Sequence, residues 1–170
     1  HVPPALENPR EFDGMFGNCK DFFKACIEQW QDSFSPGEVL CVDETMFAWN
    51  GPAGTTLSYI QESLTLSILN KKTACAQSNI IVDADLVEGP EIDGNKEFVA
   101  EWGKSTGCTL RLTKAYHGTW RTVVGDSWFG SVNTAVSLYK HQLFFVGNVK
   151  NGHFGFPKSV LKENCTERGQ

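Results

Sequence analysis

A chain of 170 residues, 41% hydrophobic and 21% charged, is long enough for one domain with a real core and too short for two. No apolar run approaches the roughly 20 residues of a membrane-spanning helix, and His1-Val2-Pro3-Pro4 shows neither a start methionine nor the apolar stretch of a signal peptide. The formal net charge of −5 argues mildly against a polyanionic partner, but it is unevenly spread: residues 1–103 carry 6 Lys and Arg against 17 Asp and Glu, and residues 104–170 carry 9 against 3. A basic C-terminal part of this kind fits an edge that faces a polyanion, and equally a split surface with no partner.

The chain opens with a Pro-rich, polar stretch over residues 1–9, and reads as an excised piece of a longer protein. From Glu11 to Phe34 two apolar stripes recur, Met15, Cys19, Phe22, Cys26 and Trp30 with Phe16, Phe23 and Ile27 beside them, which predicts an amphipathic helix stopped by Pro36-Gly37. Val39 to Asp43 reads as a strand that Met46 to Trp49 can continue, and Asn50 to Gly54 as a turn. Alternation through Leu64, Leu66 and Ile68 predicts a second strand, and Asn79 to Val87 a third, closed by Gly89-Pro90. Short links make these three an antiparallel meander.

Asp93-Gly94 opens a helical stretch containing Phe98, Val99 and Trp102, and from Ser105-Thr106 to Gly118 helix and strand readings compete. Thr122 to Asp126 is a β-branched strand ending in a carboxylate. Ser131 sits where an N-cap would satisfy free amides, and Val132, Ala135, Val136 and Tyr139 predict the buried face of a helix reaching His141. Leu143 to Val149 is a last strand, and Gly152 to Gln170 is a basic tail with a short helical run near Val160.

Six cysteines, Cys19, Cys26, Cys41, Cys75, Cys108 and Cys165, form no CxxC pair. Zinc wants tight ligand pairs, and a chain of this size does not need disulfide staples, so reduced, intracellular thiols are expected. Asn164-Cys165-Thr166 reads as a chance sequon.

The order helix, three strands, helix, strand, helix, strand is the outline of an α/β ribonuclease-H-like mixed sheet, in which the first and fourth strands lie side by side. Asp43 and Asp126 then end neighbouring strands. Two such carboxylates suit divalent cations, Mg²⁺ or Mn²⁺, which prefer oxygen ligands and can activate an attacking oxygen while stabilising a leaving one. An Asp that merely ends a strand gives the same pattern. Glu44 points to the other face of its strand and falls outside the metal set. Arg121, Lys150 and Lys158 are candidate DNA-backbone contacts, since cations near the carboxylate edge would neutralise phosphates, and His117 and His153 read first as turn and loop residues. Trp128 and Phe129 read as packing over the Asp126 turn, with base stacking as the alternative.

The wording around both aspartates is more specific. Gly37-Glu38-Val39-Leu40-Cys41-Val42-Asp43-Glu44-Thr45-Met46 resembles the first catalytic block of piggyBac-type transposases, and Gly125-Asp126-Ser127-Trp128-Phe129-Gly130-Ser131 their second. Leu110-Arg111-Leu112, His117-Gly118-Thr119 and Arg121 resemble the run into that second block. Leu143 to Lys150 and Phe156-Pro157-Lys158 resemble the strand and basic loop after it. The resemblance implies residues 1–36 as a helical lead-in and 37–170 as a partial DDE transposase domain, truncated before its C-terminal part. It also implies metal-dependent cut-and-paste DNA transposition at TTAA targets by a nuclear dimer, with Asp43 and Asp126 as the first two catalytic, metal-binding aspartates.

Three departures qualify it. The third carboxylate is expected further on; Glu163 and Glu167 lie in a tail that resembles nothing in the family. Gly51 to Gly54 and Ile60 to Leu64 lack the basic residues common after the first block, and the cysteine-rich, zinc-binding tail is missing. The piece should therefore not cleave DNA alone. Two rivals remain: a domesticated derivative that binds DNA or protein without catalysis, and a metal-dependent hydrolase, which the Trp128-Phe129 wording disfavours.

Overall fold

A computed structural model describes the backbone of residues 17–48, 58–59, 66–75 and 78–164 and the side chains of 20–45 and 78–163. The predicted Asn50–Gly54 turn, the Met15, Phe16, Trp49 and Leu64 positions, and Cys165 and Glu167 of the tail lie outside these residues.

Helix α1 (Gly17–Ser33) turns into strand β1 (Val39–Ala48) through the buried Pro36. Only part of its predicted apolar surface is used. Phe23, Cys26, Ile27 and Trp30, at i, i+3, i+4 and i+7, are half-buried, with Phe23 and Trp30 edge-to-face at 6.5 Å, whereas Phe22 is 72% exposed. One narrow stripe faces the sheet, and Phe22 lies off it.

The sheet runs β2–β3–β1–β5–β6, with β4 also on β3. Strand β3 (Leu66–Cys75) is antiparallel to β1 and to β4 (Ile81–Leu86), the expected meander, with a bulge between Thr73 and Ala74 and an additional two-residue strand β2 (Ser58–Tyr59) on β3. On the other side of β1, β5 (Thr122–Gly125) and then β6 (Phe144–Gly147) are parallel to it. The first and fourth predicted strands are thus neighbours.

One face of the sheet carries the core. Leu40 and Val42 of β1, Val82 of β4 and Val123 of β5 are 0–1% exposed. They form one cluster with Leu110 and Leu112 of α4 (Lys104–Leu112), Leu138 of α5 (Val132–Lys140), Phe129 and Leu143. Strand alternation puts Phe144 and Val146 of β6 on the opposite face, where they are 48% and 58% exposed.

The stretch with competing readings is the helix α4. Its β-branched threonines are tolerated because their hydroxyls bond back to the helix: Thr109 Oγ1 donates to Ser105 O at 3.0 Å and, just beyond α4, Thr113 Oγ1 donates to Thr109 O at 2.8 Å. A short 3-10 turn, Lys114–Tyr116, follows. The helical stretch before it is broken into α2 (Pro90–Gly94) and α3 (Val99–Trp102), with Phe98 between them at φ 67°, a left-handed conformation that few non-glycine residues adopt.

Helix α5 forms where expected, capped by Ser131, whose hydroxyl accepts the Thr134 N–H at 2.9 Å. Its buried face is not the predicted one. Val136 and Tyr139 are 46% and 61% exposed, and Thr134, Ser137 and Leu138 point inward at 0%. The reason is a hydroxyl cluster against α4: Thr134 Oγ1 donates to Phe129 O at 2.8 Å and lies 2.9 Å from both Thr106 Oγ1 and Ser131 Oγ. Small bonded hydroxyls let the two helices approach closely, and Tyr139 is left to meet exposed Trp120 at 5.7 Å. Thr134→Val keeps the shape but strands several buried partners, so it is expected to cost about 1–3 kcal/mol. A melting temperature equal to that of the unaltered protein would show that the cluster contributes nothing.

A charged network closes the far edge of the sheet. Lys96 reaches Asp85 at 2.8 Å and Asp93 at 2.7 Å, and also Leu86 O; Arg111 of α4 holds the other Asp85 oxygen at 2.6 Å. Burial opposes the Lys96 charge, but the bonds to Asp85 and Asp93 outweigh it and raise its pKa. Helix α6 (Lys158–Asn164) ends the described chain. Cys26, Cys41 and Cys108 are not in disulfides, and no helix among the described residues is long and apolar enough to cross a membrane.

Candidate active site

The parallel pairing of β1 and β5 runs from Val39↔Thr122 to Val42↔Gly125, so Asp43 and Asp126 come next in register; Asp126 lies just past β5, whereas Asp43 does not end its strand as expected, because β1 continues against β3 to Ala48. Adjacent strands lie about 4.8 Å apart, which brings two acids that are distant in sequence to one sheet edge. Alternation assigns Leu40, Val42 and Val123 to the core side, and hence Asp43 and its neighbour Asp126 to the other. Both are exposed. The carboxyl edge of a parallel pair, where strands give way to loops, is where open α/β sheets hold their ligands.

Each carboxylate is oriented by its own backbone. Asp43 Oδ1 accepts the Glu44 N–H at 2.8 Å, and Asp126 Oδ1 accepts the Trp128 N–H at 2.8 Å, an Asx turn. The Asp126 carbonyl in turn accepts the Gly130 N–H at 2.9 Å. Phe129 is 0% exposed and Trp128 is 40% exposed, so the pair splits: one ring anchors the turn in the core and the other covers it. The glycine of the motif has a definite cause. A Cβ on Gly130 would stand 2.3 Å from the Asn148 carbonyl oxygen, so only glycine lets the turn lie against the segment after β6.

The three basic residues are separated by the fold. Arg121 stands at the opposite end of β5 from Asp126, roughly 13 Å or more away along the strand. There its guanidinium donates to Gly37 O at 2.9 Å and Pro36 O at 3.1 Å and lies over the Tyr116 ring. It straps the link between α1 and β1, and the structure does not bring it to the aspartates. Lys150 is exposed and follows β6, whose last residue Gly147 pairs with Gly125, so it belongs to the aspartate edge. Lys158 is exposed at the start of α6, in an open depression shared with Asn151, Phe156 and Lys162.

His153 is exposed, and its N–H donates to Lys150 O. His117 packs against His141 at 4.4 Å, and its Nε2 is buried with no hydrogen-bond partner. Burial, with His141 second, pushes its pKa down to about 4 and keeps the ring neutral at pH 7.

Two hard, exposed oxygen donors suit Mg²⁺ or Mn²⁺. The second oxygen of each carboxylate accepts no hydrogen bond from the described residues. Among the described residues no group of three or more His, Cys, Asp or Glu is placed to hold a metal ion, so the pair stands without a third ligand there. Sequence reasoning passed over Lys104 and Cys108, which line a cavity beside this edge together with Glu44 and Trp128; helix periodicity treats them as one rim and one core position.

The geometry has relatives. A family model for DDE transposases, described as Transposase IS4, matches residues 5–170. Among solved structures, piggyBac transposase in a synaptic complex with hairpin DNA, determined by cryo-electron microscopy, shares the fold with a TM-score of 0.76 at 22% identity. The alignment covers 98% of this chain and 33% of that one, so the chain spans about a third of that transposase. No curated protein matches.

Proposed function

Because the chain belongs to the Transposase IS4 family, we propose that it is part of the catalytic domain of a piggyBac-like transposase, contributing two of the carboxylates that bind metal for DNA strand cleavage and transfer. The observation that carries this reading is the register of β1 on β5, which makes Asp43 and Asp126 neighbours on one side of one edge. Asp43 and Asp126 would hold Mg²⁺ or Mn²⁺, and the bound ion supplies Lewis-acid stabilisation of the phosphoryl oxygens and a more acidic nucleophile.

The protein's own residues do the rest. Backbone N–H groups of Glu44 and Trp128 keep the two carboxylates turned outward, and Phe129 fixes the turn. Lys150, on the same edge, and Lys158 are the proposed phosphate contacts, in the part of the chain with excess positive charge. DNA is the proposed partner, and piggyBac likeness extends the proposal to TTAA targets, a homodimer and the nucleus. A chain with only two carboxylates would need a third from elsewhere to cut.

A second reading is a derivative that binds DNA or protein without catalysis. Its support is the loss of basic residues over Gly51 to Gly54 and Ile60 to Leu64. One measurement separates the two. A protein carrying this chain within a complete catalytic domain is expected to nick transposon-end DNA with Mg²⁺ and to stop when the ion is chelated. Salt-sensitive binding without nicking would move the conclusion to the second reading, and neither binding nor nicking would end both.

A further inference from the structure

Buried polar groups are almost always hydrogen-bonded, so one without a partner calls for a reason. Among the described residues three buried side-chain atoms lack a hydrogen bond: Thr45 Oγ1, Glu88 Oε1 and His117 Nε2. Two of them are explained by their neighbours. Glu88 Oε1 lies 2.6 Å from the Lys20 ammonium, and His117 is a neutral ring packed on the ring of His141. Thr45 has no such account. Its hydroxyl can both donate and accept, and in the protein as it stands it does neither.

Its place in the sheet supplies the reason. Alternation puts Thr45 on the same face of β1 as Asp43, two residues further toward the carboxyl end. Strand β5 follows β1 only as far as Val42↔Gly125, whereas β1 runs on against β3 through Thr45↔Asn70. Among the described residues, no strand pairs with the other flank of β1 beyond Val42, the side on which the Asp126 turn lies. Asp43 Oδ1 accepts the Glu44 N–H, which turns the carboxylate along the strand toward Thr45. Residues two apart on a strand are separated by about 6.8 Å. An ion about 2.1 Å from an Asp43 oxygen and from a phosphate oxygen, with a hydrogen bond of about 2.7 Å from that phosphate oxygen to a hydroxyl, spans the same interval.

We propose that the Thr45 hydroxyl donates to a non-bridging oxygen of the phosphodiester held at Asp43, and so positions that phosphate for attack. The proposal rests on the strand-cleavage reading above and deepens it, adding a substrate contact to the two carboxylates. The hydroxyl keeps its proton throughout; no bond to Thr45 forms or breaks. A donor that is already desolvated, on a β-branched side chain stiff at χ1, needs little reordering when the phosphate arrives. The unpaired hydroxyl is then one half of a contact that the substrate completes.

The test uses Thr45→Val, which keeps the shape and strand preference but loses the hydroxyl, and Thr45→Ser, which keeps the hydroxyl. In the complete catalytic domain with Mg²⁺, Thr45→Val is expected to slow nicking at saturating DNA by about tenfold or more, and Thr45→Ser to stay within about threefold. Two further readouts separate a substrate contact from a structural role. The melting temperature of metal-free Thr45→Val should not fall, because the hydroxyl it removes has no partner. On DNA with one non-bridging oxygen of the scissile phosphate replaced by sulfur, a poor acceptor, the cost of Thr45→Val should shrink for one diastereomer. Undiminished nicking by Thr45→Val, with Asp126→Asn inactive, would overturn the Thr45 contact and leave the strand-cleavage reading standing. A loss that Thr45→Ser shares, with a lowered melting temperature, would also overturn it. No nicking by the unaltered domain would overturn both.

Discussion

Asp126→Asn is expected to abolish Mg²⁺-dependent nicking by the complete catalytic domain while leaving the fold intact. The substitution is chosen for what it preserves. An Asn Oδ1 still accepts the Trp128 N–H, so the Asx turn, the Phe129 anchor and the Gly130 contact persist. What it removes is one anionic oxygen from the pair proposed to hold a divalent cation. A neutral amide oxygen binds Mg²⁺ far more weakly than a carboxylate, and the activation and charge stabilisation depend on that ion. The loss should exceed the roughly 10²–10³-fold that removing a single hydrogen-bond donor to a transition state costs. Melting temperature and DNA affinity at low salt should stay near those of the unaltered protein. Undiminished nicking would remove Asp126 from the catalytic set. A collapsed melting temperature would show that the charge was structural.

The second large effect concerns Asp83, which the sequence placed only as a strand residue. It lies on β4 beneath α1, with Gln31 Nε2 donating to Oδ2 at 3.3 Å and the Ala84 N–H donating to Oδ1 at 2.7 Å. Burial pushes its pKa up to about 7, against the Ala84 bond and with help from neighbouring Asp85. The folded state therefore holds the proton more tightly than the unfolded chain. Stability from this group is full below the ordinary value of 3.8 and is lost as pH rises through about 7. Asp83→Asn should remove a penalty of at most about 4 kcal/mol above pH 7 and change little near pH 4. His117 works the other way: its pKa of about 4 means that stability is lost as pH falls below 6.5. The two windows overlap, so the informative quantity is the melting temperature of Asp83→Asn minus that of the unaltered protein, followed across pH. A difference that does not grow with pH would show that the carboxyl is not desolvated.

Much of the architecture was readable because the relevant signals are local. Asp126 ends a β-branched run, Asp43 follows the apolar run Val39 to Val42, Ser131 is a cap with a donor three residues on, and the strand order follows from a meander and then alternating elements. What was not readable depends on partners. Apolar spacing chose Val136 and Tyr139 as the inward face of α5, because hydrophobicity cannot register that Thr134, Ser131 and Thr106 satisfy one another. The Thr-rich α4 was ambiguous for the same reason, the Thr109 hydroxyl being quenched by the Ser105 carbonyl and that of Thr106 by Thr134. Arg121 was grouped with the aspartates by proximity in the chain, yet five residues of extended strand carry it to the other end of the sheet. The cavity at Trp128 draws on five separate segments, and no pattern within any of them announces it.

The Gly130 contact has a consequence for biosynthesis. The turn that presents Asp126 rests against Asn148, and β5 is held between β1 and β6, so no segment ending before Asn148 contains all the supports of that carboxylate. Parallel pairing closes long loops and forms late. On a ribosome, the nascent polypeptide should thus complete its meander while the Asp126 turn still lacks its buttress, and fix that turn only when residues beyond β6 have emerged.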